Sequence, residues 1–286
     1  MPTSRVLFSA PDLTVGAFVC PPHDDAWQAL NTVGAGHHVV FPQLPVGIEQ
    51  DGRPAVVADQ NNVVLYPDGQ IYRRRLVSDR GDRCVFFIPS PHLLTEMTAD
   101  GGESGFAVPA APIEAWAYLL QQRAVRALGR SPEPDGIREI LYDVLRHSVT
   151  RVIPPRRAKR PATERAHLAA VEAVKLYLST HANGRILLDD VGRHVNRSPF
   201  EVARIFRSLT GTTVHAYLTQ LRLRSALHRL DDGAPLSTIA VDGGFASHAH
   251  FTDAFTRVFG AGPDRVRRTK VSQLRTILEA ASPERP

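Results

Sequence analysis

Cysteine is scarce in this chain of 286 residues, which contains only Cys20 and Cys84. Two isolated cysteines provide neither a metal-ligand cluster nor a disulfide framework, a usage typical of proteins in a reducing compartment. They are either a redox pair or, as we favour, two buried and inert thiols. Long apolar runs are also missing: no stretch of about 18 apolar residues occurs, and the first residues lead into no signal-peptide segment. We therefore expect a cytoplasmic protein with no membrane partner.

Acidic charge is scarce in one part of the chain. Residues 154–270 contain 19 basic and 10 acidic residues, whereas residues 1–153 contain 13 basic and 17 acidic ones. A basic segment joined to an acidic one is expected of a polyanion-binding domain attached to a carrier domain. A solvated surface that is merely basic would give the same count, so charge alone leaves both interpretations open.

The first 110 residues have the patterns of strands and turns. Apolar runs rich in β-branched and aromatic residues occur at 38–41, 62–66 and 84–88, and a Pro-Asp-Gly sequence at 67–69 is one of the turn signals between them. No helical period of any length is present in this part of the sequence. The pattern predicts a small β-barrel or sandwich over residues 1–110.

Two amphipathic helices are predicted over residues 111–153. In the first, Ile113, Trp116 and Leu120 fall on one face. The second has apolar residues three and four positions apart, namely Ile137, Ile140, Leu141, Val144 and Leu145. Such helices pack either on the β-domain or on their copies in a second subunit, and we expect them to be dimerisation helices.

A basic segment rich in proline separates these helices from the rest of the chain. Residues 154–163 include Pro154, Pro155 and Pro161, which predict a stiff, extended linker. Helical patterns then continue from 164 to 270, and residues 271–286 are expected to be a tail.

A first helix-turn-helix unit is predicted over residues 188–209. Its second helix has a strong start, because Ser198 can cap it, Pro199 suits the first helical position and Glu201 completes a capping box. A tight turn between two short helices allows the second helix to enter a DNA major groove. The side chains predicted to point inward are Val202, Ile205, Phe206 and Leu209, and those predicted to face outward are Phe200, Ala203, Arg204 and Arg207.

A second unit of the same kind is predicted over residues 236–259. Two glycines make its turn, Ser247 caps its second helix, and three phenylalanines of that helix point inward. A long helix over residues 214–230 would hold the two units at a fixed separation, so that they meet successive major grooves about 34 Å apart. The side chains predicted to face outward are His248, Ala249, Thr252 and Asp253.

The two units and the helix between them resemble the DNA-binding domain of the AraC/XylS family of bacterial regulators over residues 164–270. The resemblance is specific because the matching stretches are long and in order. They are Ser198-Pro199-Phe200, Arg204-Ile205-Phe206-Arg207, Thr210-Gly211, His215-Ala216-Tyr217-Leu218, Leu221-Arg222-Leu223, Ile239-Ala240, Gly244-Phe245-Ala246-Ser247, His250-Phe251, Ala254-Phe255, Phe259-Gly260 and Pro263.

The resemblance implies that double-stranded DNA is the partner. The residues implied to read bases are Phe200, Ala203, Arg204, His248, Ala249 and Asp253. The residues implied to touch phosphate are Arg207 and Arg257, to which we add Ser198, Ser247 and Thr252. Arg204 is either a guanine reader, as we favour, or an ordinary solvated residue, and Phe200 either touches a thymine methyl group or folds back into the core.

Three positions depart from the family pattern. Leu187 and Pro235 stand where the family usually has a hydroxyl cap, so the helices after them are expected to begin less firmly, although Asp189 and Asp190 offset this in the first unit. Asp253 replaces a residue that is often basic. Because a carboxylate repels phosphate but accepts from the amino group of cytosine, we expect Asp253 to act mainly by excluding wrong sites.

The front domain is similar in pattern to the sensory β-domains of many members of that family. The whole chain is therefore expected to be α+β: an N-terminal cupin-like β-barrel with two following helices, then an all-α C-terminal domain with two helix-turn-helix units. The resemblance implies a transcription regulator controlled by a small-molecule effector or by homodimerisation, with RNA polymerase as a partner if it activates. We expect no catalysis and no cofactor.

Two other functions stay open, a cupin-type enzyme fused to a DNA-binding domain and a constitutive regulator without a ligand. A metal-dependent cupin needs two histidines on a strand that are separated by one intervening residue, so that both side chains point to the same face. Here His37 and His38 are adjacent and point to opposite faces, and Glu49 lies too far along, so we expect no metal site. The arginine run at 73–75 is either a ligand contact inside the barrel or, as we favour, part of an exposed strand.

The charge distribution leads to a first prediction. The segment 154–270 should bind duplex DNA with an affinity that falls steeply as salt is raised, because arginine–phosphate contacts release condensed counterions. Fluorescence anisotropy with labelled duplexes over a salt series measures this slope. A dissociation constant that stays the same between low and physiological salt contradicts the prediction.

Overall fold

The computed structural model describes residues 1–98, 106–131, 136–150 and 161–280. The strands are β1 (Thr3–Ser9), β2 (Leu13–Cys20), β3 (Asn31–Thr32), β4 (His38–Pro42), β5 (Val46–Gln50), β6 (Val56–Ala58), β7 (Asn62–Tyr66), β8 (Ile71–Leu76), β9 (Asp82–Pro89) and β10 (Ala110–Pro112). The α-helices are α1 (Pro91–Met97), α2 (Ala115–Leu128), α3 (Ile137–Thr150), α4 (Pro161–His181), α5 (Leu188–His194), α6 (Pro199–Thr210), α7 (Val214–Asp231), α8 (Leu236–Asp242), α9 (His248–Phe259), α10 (Pro263–Arg268) and α11 (Val271–Ala280).

The strands form two antiparallel sheets. One has the order β1-β2-β9-β4-β7-β10 and the other β3-β8-β5-β6. Because successive side chains of a strand point to opposite faces, Val63 and Leu65 of β7 join the core under the helices, whereas Val64 and Tyr66 face the four-stranded sheet. The six-stranded sheet is thus the middle layer, and the mixed α+β class, with a front β-domain and a helical C-terminal part, is confirmed.

The two helices that follow the sheets pack on the chain's own core. Ile140, Leu141, Val144 and Leu145 of α3 are at most 1% exposed, and α3 contacts α1, α2, α11 and β4. Of the two alternatives for this apolar face, the structure shows packing within the chain. A dimer, if one forms, must therefore use a different surface.

α2 is buried over most of its surface rather than on the single face that the sequence predicts. The residues from Ala117 to Gln122 are all buried, because β1, α3, α7, α9 and α11 surround the helix. Part of the segment expected to be a tail is the helix α11, which places Leu274 and Leu278 in the same core. Apolar residues at helical spacing in 271–278 were the signal for this helix.

The helical C-terminal part starts inside the segment predicted as a linker, because α4 begins at Pro161. Most of that predicted linker, residues 154–160, lies outside the described residues. None of the described helices is both long enough and apolar enough to cross a membrane.

The apolar cores divide the helices differently from the expected domain boundaries. α4, α5, α6 and the beginning of α7 share a core of their own, which includes Leu178, Phe206 and Tyr217. The rest of α7, together with α8 to α11, shares one continuous core with α2, α3 and the six-stranded sheet. The second helix-turn-helix unit is therefore built into the front domain, whereas the first has a separate interior. For this reason the salt dependence of DNA binding is best measured on the whole chain.

The position of α11 leads to a second prediction. Leu274→Ala should lower the free energy of unfolding by about 2–5 kcal/mol, because it leaves a cavity in the core shared with α2 and α3. Chemical denaturation followed by circular dichroism measures the loss. Gln273→Ala, at an exposed position of the same helix, is the matched control and should change stability little. An equally small effect of both substitutions would mean that α11 is not part of the core.

Candidate nucleic-acid interface

The second helix of the first unit, α6, begins as the sequence predicts. Ser198 Oγ accepts a hydrogen bond from the backbone N–H of Glu201 at 3.2 Å, and Pro199 occupies the first turn. The predicted capping box is only half formed, because the Glu201 carboxylate accepts from the guanidinium of Arg197 instead. This ion pair ties the turn to the start of α6.

The turn between α5 and α6 depends on close backbone packing. Asn196 has φ of 52°, in the left-handed region that asparagine tolerates better than most residues. The N–H of Arg197 donates to the carbonyl of Gly192 at 2.9 Å, and a Cβ at Gly192 would lie 2.7 Å from the carbonyl oxygen of Arg197. A side chain at position 192 would therefore force α5 away from the turn.

The inner face of α6 is largely as predicted. Val202, Ile205 and Phe206 are buried. Leu209, also predicted to point inward, is 39% exposed in the last turn of the helix, so that prediction is wrong.

The outer face of α6 carries the side chains expected to read DNA. Phe200 is 79% exposed, so it does not fold back into the core. Arg204, Arg207 and the capping Ser198 are exposed, and Ala203 is half-buried between the two faces. Among the described residues, none forms an ion pair with Arg204 or Arg207. The geometry leaves both guanidinium groups free to meet a polyanion.

The second unit repeats this arrangement on α9. Ser247 Oγ accepts from the backbone N–H of His250 at 3.1 Å and caps the helix. The inner face consists of buried aromatic rings, with centroids 5.6 Å apart for Phe251 and Phe255 and 4.5 Å apart for Phe255 and Phe259. The exposed residues of this unit include four predicted base or phosphate contacts and the capping serine: His248, Ala249, Asp253, Arg257 and Ser247.

Thr252 is placed differently from the other predicted phosphate contacts. The residue is half-buried, and its Oγ1 is shielded from solvent. The backbone carbonyl of Thr252 accepts a hydrogen bond from the Thr256 hydroxyl at 2.8 Å. In this conformation the Thr252 hydroxyl cannot reach a phosphate, so the geometry does not favour the predicted contact.

The turn of the second unit is packed against the end of α4. Gly244 has φ of 72°, and a Cβ there would lie 2.8 Å from the carbonyl oxygen of Asn183. Arg222 of α7 donates to the carbonyls of Ala182 and Gly184, each at 2.6 Å. These contacts satisfy carbonyl groups that follow α4 and connect the two units independently of their apolar cores.

α7 holds the two units apart, as predicted, and its 18 residues span about 27 Å at the usual rise of a helix. Its first turns belong to the core of the first unit, where the rings of Phe206 and Tyr217 lie 5.3 Å apart. Its later turns, with Leu223 and Leu227, belong to the core shared with the front domain. Both recognition helices therefore take their positions from this one helix.

The front domain contacts the beginning of α7 through a buried polar cluster. The Tyr217 hydroxyl donates to the carboxylate of Asp59, which is fully buried, with an O–O distance of 2.8 Å. Asn61 Nδ2 donates to the backbone carbonyl of Tyr217 and Asn62 Nδ2 to its phenolic oxygen, both at 3.0 Å. Ser179 of α4 also donates to Asp59, at 3.2 Å. The turn at 59–62 is thus inserted between α4 and α7.

Arg224, two turns beyond Tyr217 on α7, is 0% exposed. Its guanidinium donates to the carbonyls of Gln60 and Ile113 at 2.6 and 2.7 Å and to Gln220 Oε1 at 3.1 Å. It also lies over the ring of Tyr118 in α2, 5.3 Å from the centroid. Burial lowers the pKa of Arg224 to about 10, so the side chain stays charged at neutral pH.

Sequence interpretation missed this interface. Arg224 lies in a helix where arginines are frequent, and a polar run at 59–62 between two strands has the composition of an exposed turn. Only the packing of α7 on the sheets makes these residues buried partners. No pattern within either segment identifies the other.

The arginine run lies on β8, where alternate residues meet solvent, as the favoured alternative predicted. Arg73 and Arg75 are exposed, whereas Arg74 is buried and pairs with Asp82 at 3.3 Å. The Arg74 guanidinium also lies 4.9 Å from the ring centroid of Phe18. Asp82 neutralises this charge, so Arg74 serves the interior of the front domain.

The two cysteines lie in the same region of the front domain. Cys20 pairs across strands with Asp82, and Cys84 pairs with Phe18, which places both side chains on one face of neighbouring strands. Burial raises the pKa of both thiols, so they stay protonated and weakly nucleophilic. Cys20 is buried, as expected, whereas Cys84 is half-buried.

Comparison with known proteins adds to this geometry. Residues 191–269 match a family model described as a helix-turn-helix domain. The transcriptional activator RclR of Escherichia coli, named as specific for RCS, is 40% identical over 82 residues, which is 28% of either chain. The Tn10 TetD protein of Escherichia coli is 28% identical over 112 residues, covering 39% of this chain and 81% of TetD. This chain thus covers about a quarter of the length of RclR.

Among solved structures, apo ToxT of Vibrio cholerae covers 92% of this chain at 10% identity and a TM-score of 0.38, over 99% of its own length. A score this low supports no conclusion about this chain. The matched segment contains the helices α6 to α9 and the end of α5, which together make up the two helix-turn-helix units of a DNA-binding domain. Residues 191–269 are thus similar to the helix-turn-helix domains of HTH-type transcriptional regulators, in agreement with the resemblance to the AraC/XylS family that the sequence motifs carry.

The outer face of α6 leads to a third prediction. Arg204→Ala should weaken binding at the preferred site by about 1–3 kcal/mol and relax preference at one base pair, if Arg204 reads a guanine. Arg207→Ala, on the same helix and equally exposed, should weaken all sequences alike. Competition binding with single-base variants of the site measures both. A uniform loss for both variants would make Arg204 a phosphate contact.

The Asp59 cluster leads to a fourth prediction, on pH. Burial raises the pKa of Asp59 above its ordinary value of 3.8, although Lys175 and the Tyr217 hydrogen bond oppose this. The folded state therefore binds more protons at Asp59 than the unfolded state does. Its contribution to stability should fall as pH rises from about 4 through the folded pKa, by at most about 1.4 kcal/mol per pH unit.

The test compares unfolding free energies of the wild type and Asp59→Asn across this pH range. Asparagine keeps the shape and an acceptor for Tyr217 but does not titrate, so the difference between the two proteins should change with pH. Asp79→Asn, at an exposed carboxylate, is the control and should run parallel to the wild type. A constant difference for Asp59→Asn would refute the raised pKa.

Proposed function

We propose that this chain is a bacterial transcription regulator that reads two successive major-groove segments of duplex DNA with α6 and α9. The observation that carries the proposal is the pair of exposed helix faces supported by one helix, α7. Phosphate contacts from arginines would drive binding, and base contacts would direct it.

The assignment of base contacts follows the exposed positions. In the first unit these are Phe200 and Arg204, with Ala203 beside them, and in the second unit His248, Ala249 and Asp253. Arg207 and Arg257 would contact phosphate, together with the helix starts at Ser198 and Ser247. Thr252 is the weakest member of the predicted set, because its hydroxyl is shielded.

Control through the front domain is part of the proposal. The turn at 59–62 and α2 both contact α7, so a change in the front domain has a direct route to the helix that positions both units. A small-molecule effector supplies one such change, and formation of a homodimer supplies another. RNA polymerase would be a further partner if the regulator activates. A constitutive regulator is the alternative if no ligand acts.

The histidines considered for a cupin-type metal site make other contacts within the described residues. Within the described ranges, no group of three or more His, Cys, Asp or Glu side chains could hold a metal ion. His38 Nδ1 lies 2.8 Å from the carbonyl of Gly36, and the N–H of Asp68 donates to His37 Nδ1 at 3.3 Å. Burial lowers the pKa of His38, which keeps it neutral. Each histidine thus has a partner within the fold.

A fifth prediction tests whether α6 and α9 each read a separate segment of the DNA. Selection of bound sequences from random duplexes by the whole chain should yield two preferred segments about one helical turn apart. Arg204→Ala should relax preference in one segment, and His248→Ala should relax preference in the other. A reporter gene placed under the selected site then shows whether transcription responds. A single preferred segment that both variants affect would contradict the proposal.

A further inference from the structure

A cavity of about 370 Å³ opens between the front domain and α7. We call it the basic cavity, and it is lined chiefly by Arg5, Gln43, Gln122, Arg126, Arg130 and His228. Arg5 belongs to β1, Gln43 follows β4, and His228 belongs to α7. The basic cavity is therefore built from parts of the chain that are far apart in sequence.

α2 supplies one wall of the basic cavity. Gln122, Arg126 and Arg130 are four residues apart, so they lie in a row along one side of the helix and its end. Gln122 is buried, whereas Arg130 is exposed. The row therefore leads from solvent into the space between α2 and α7.

Within the described residues, the arginines of the basic cavity are only partly paired with acidic groups. Arg126 pairs with Asp232 at 3.1 Å, but no described residue forms an ion pair with Arg5 or Arg130. The C-terminal end of α2 contributes only about half a negative charge. The guanidinium groups of Arg5 and Arg130 therefore line the same space with like charge, and an anion held there would be attracted to both.

The groups around the basic cavity define the chemistry of the anion. Arginine presents several N–H donors and no acceptor, and its planar fork matches the oxygens of a carboxylate or a phosphate. The volume lies at the small end of the range for ligand sites in proteins. Both features fit a small molecule with a carboxylate or phosphate group better than a large or apolar ligand.

The position of the basic cavity connects it to DNA binding. His228 lies one turn beyond Arg224 on α7, the helix from which both recognition helices take their positions. A ligand held between Arg5, Arg130 and His228 would add contacts across the boundary between α7 and the front domain. Such a ligand would favour the conformation in which α7 is docked, and its affinity would be coupled to that for DNA.

We propose that the basic cavity is the effector site of this regulator and that it binds a small organic or inorganic anion through Arg5 and Arg130. This inference rests on the proposed function, since it names the effector's chemistry and its place. Binding of the anion itself requires only the fold, so the two proposals can fail separately.

The test measures anion binding to the whole chain by calorimetry and by thermal shift. The probes are inorganic phosphate, citrate and hexanoate, with sodium chloride at matched ionic strength as the reference. At least one probe should raise Tm with increasing concentration, because a ligand that binds only the folded state stabilises it. Phosphate and the two carboxylates together show which oxygen group is preferred.

The variant Arg5→Gln/Arg130→Gln should weaken binding of that probe about tenfold or more, because it removes two charge-assisted donors. Both positions are exposed, so the variant should fold. Arg80→Gln/Arg83→Gln removes two exposed arginines elsewhere on the front domain and should bind as the wild type does. Equal affinity in all three proteins, or no probe acting beyond sodium chloride, would overturn the proposal.

A measurement of DNA binding in the absence of any probe tests the alternative that Arg5 and Arg130 contact DNA phosphates directly. If Arg5→Gln/Arg130→Gln binds DNA as the wild type does in the absence of anion, the arginines are not phosphate contacts, and the effector site stands. If the variant loses DNA affinity without anion, these arginines contact DNA, and the proposal is wrong even though the proposed function is supported.

Discussion

The burial of one guanidinium group, that of Arg224, sets the arrangement of the whole C-terminal part. Moving a charge out of water costs several kcal/mol unless hydrogen bonds replace its hydration, and here carbonyls of Gln60 and Ile113 supply them. Both carbonyls belong to the front domain, so α7 can bury this charge only when it is docked there. The position of α7 is thereby fixed in a way that a purely apolar contact, which tolerates sliding, would not achieve.

The two units depend on the front domain through different forces. The second unit shares a continuous apolar core with α2 and α11, and separating it would expose that core to water. The first unit has its own core and meets the front domain through polar contacts, such as those between Asp59 and Tyr217 or between Val57 and Glu172. Water can replace polar contacts at lower cost. The first unit therefore depends less than the second on apolar contact with the front domain.

Local patterns predicted the helices, turns and caps of the interface well, because these depend on neighbouring residues. Ser198, Pro199 and the glycine turn of the second unit belong to this group. Features that depend on packing between distant parts of the chain could not be predicted from local patterns. The apolar face of α3 looks the same whether a second subunit or the same chain covers it, and the burial of Arg224 and Asp59 depends on segments more than 150 residues apart. Leu209 was misplaced because periodicity does not show where a neighbouring helix stops covering a face.

The enclosure of α2 by helices that come later in the chain has a consequence for folding during synthesis on the ribosome. α2 ends at Leu128, and the last helix that covers it, α11, ends at Ala280. At synthesis rates of about 5–20 residues per second, roughly 8 to 30 seconds pass before the ribosome has added the helices that cover α2. During that interval the nascent front domain exposes an apolar groove to the cell. The chain must therefore either stay partly unfolded or rely on a chaperone until its C-terminal helices arrive.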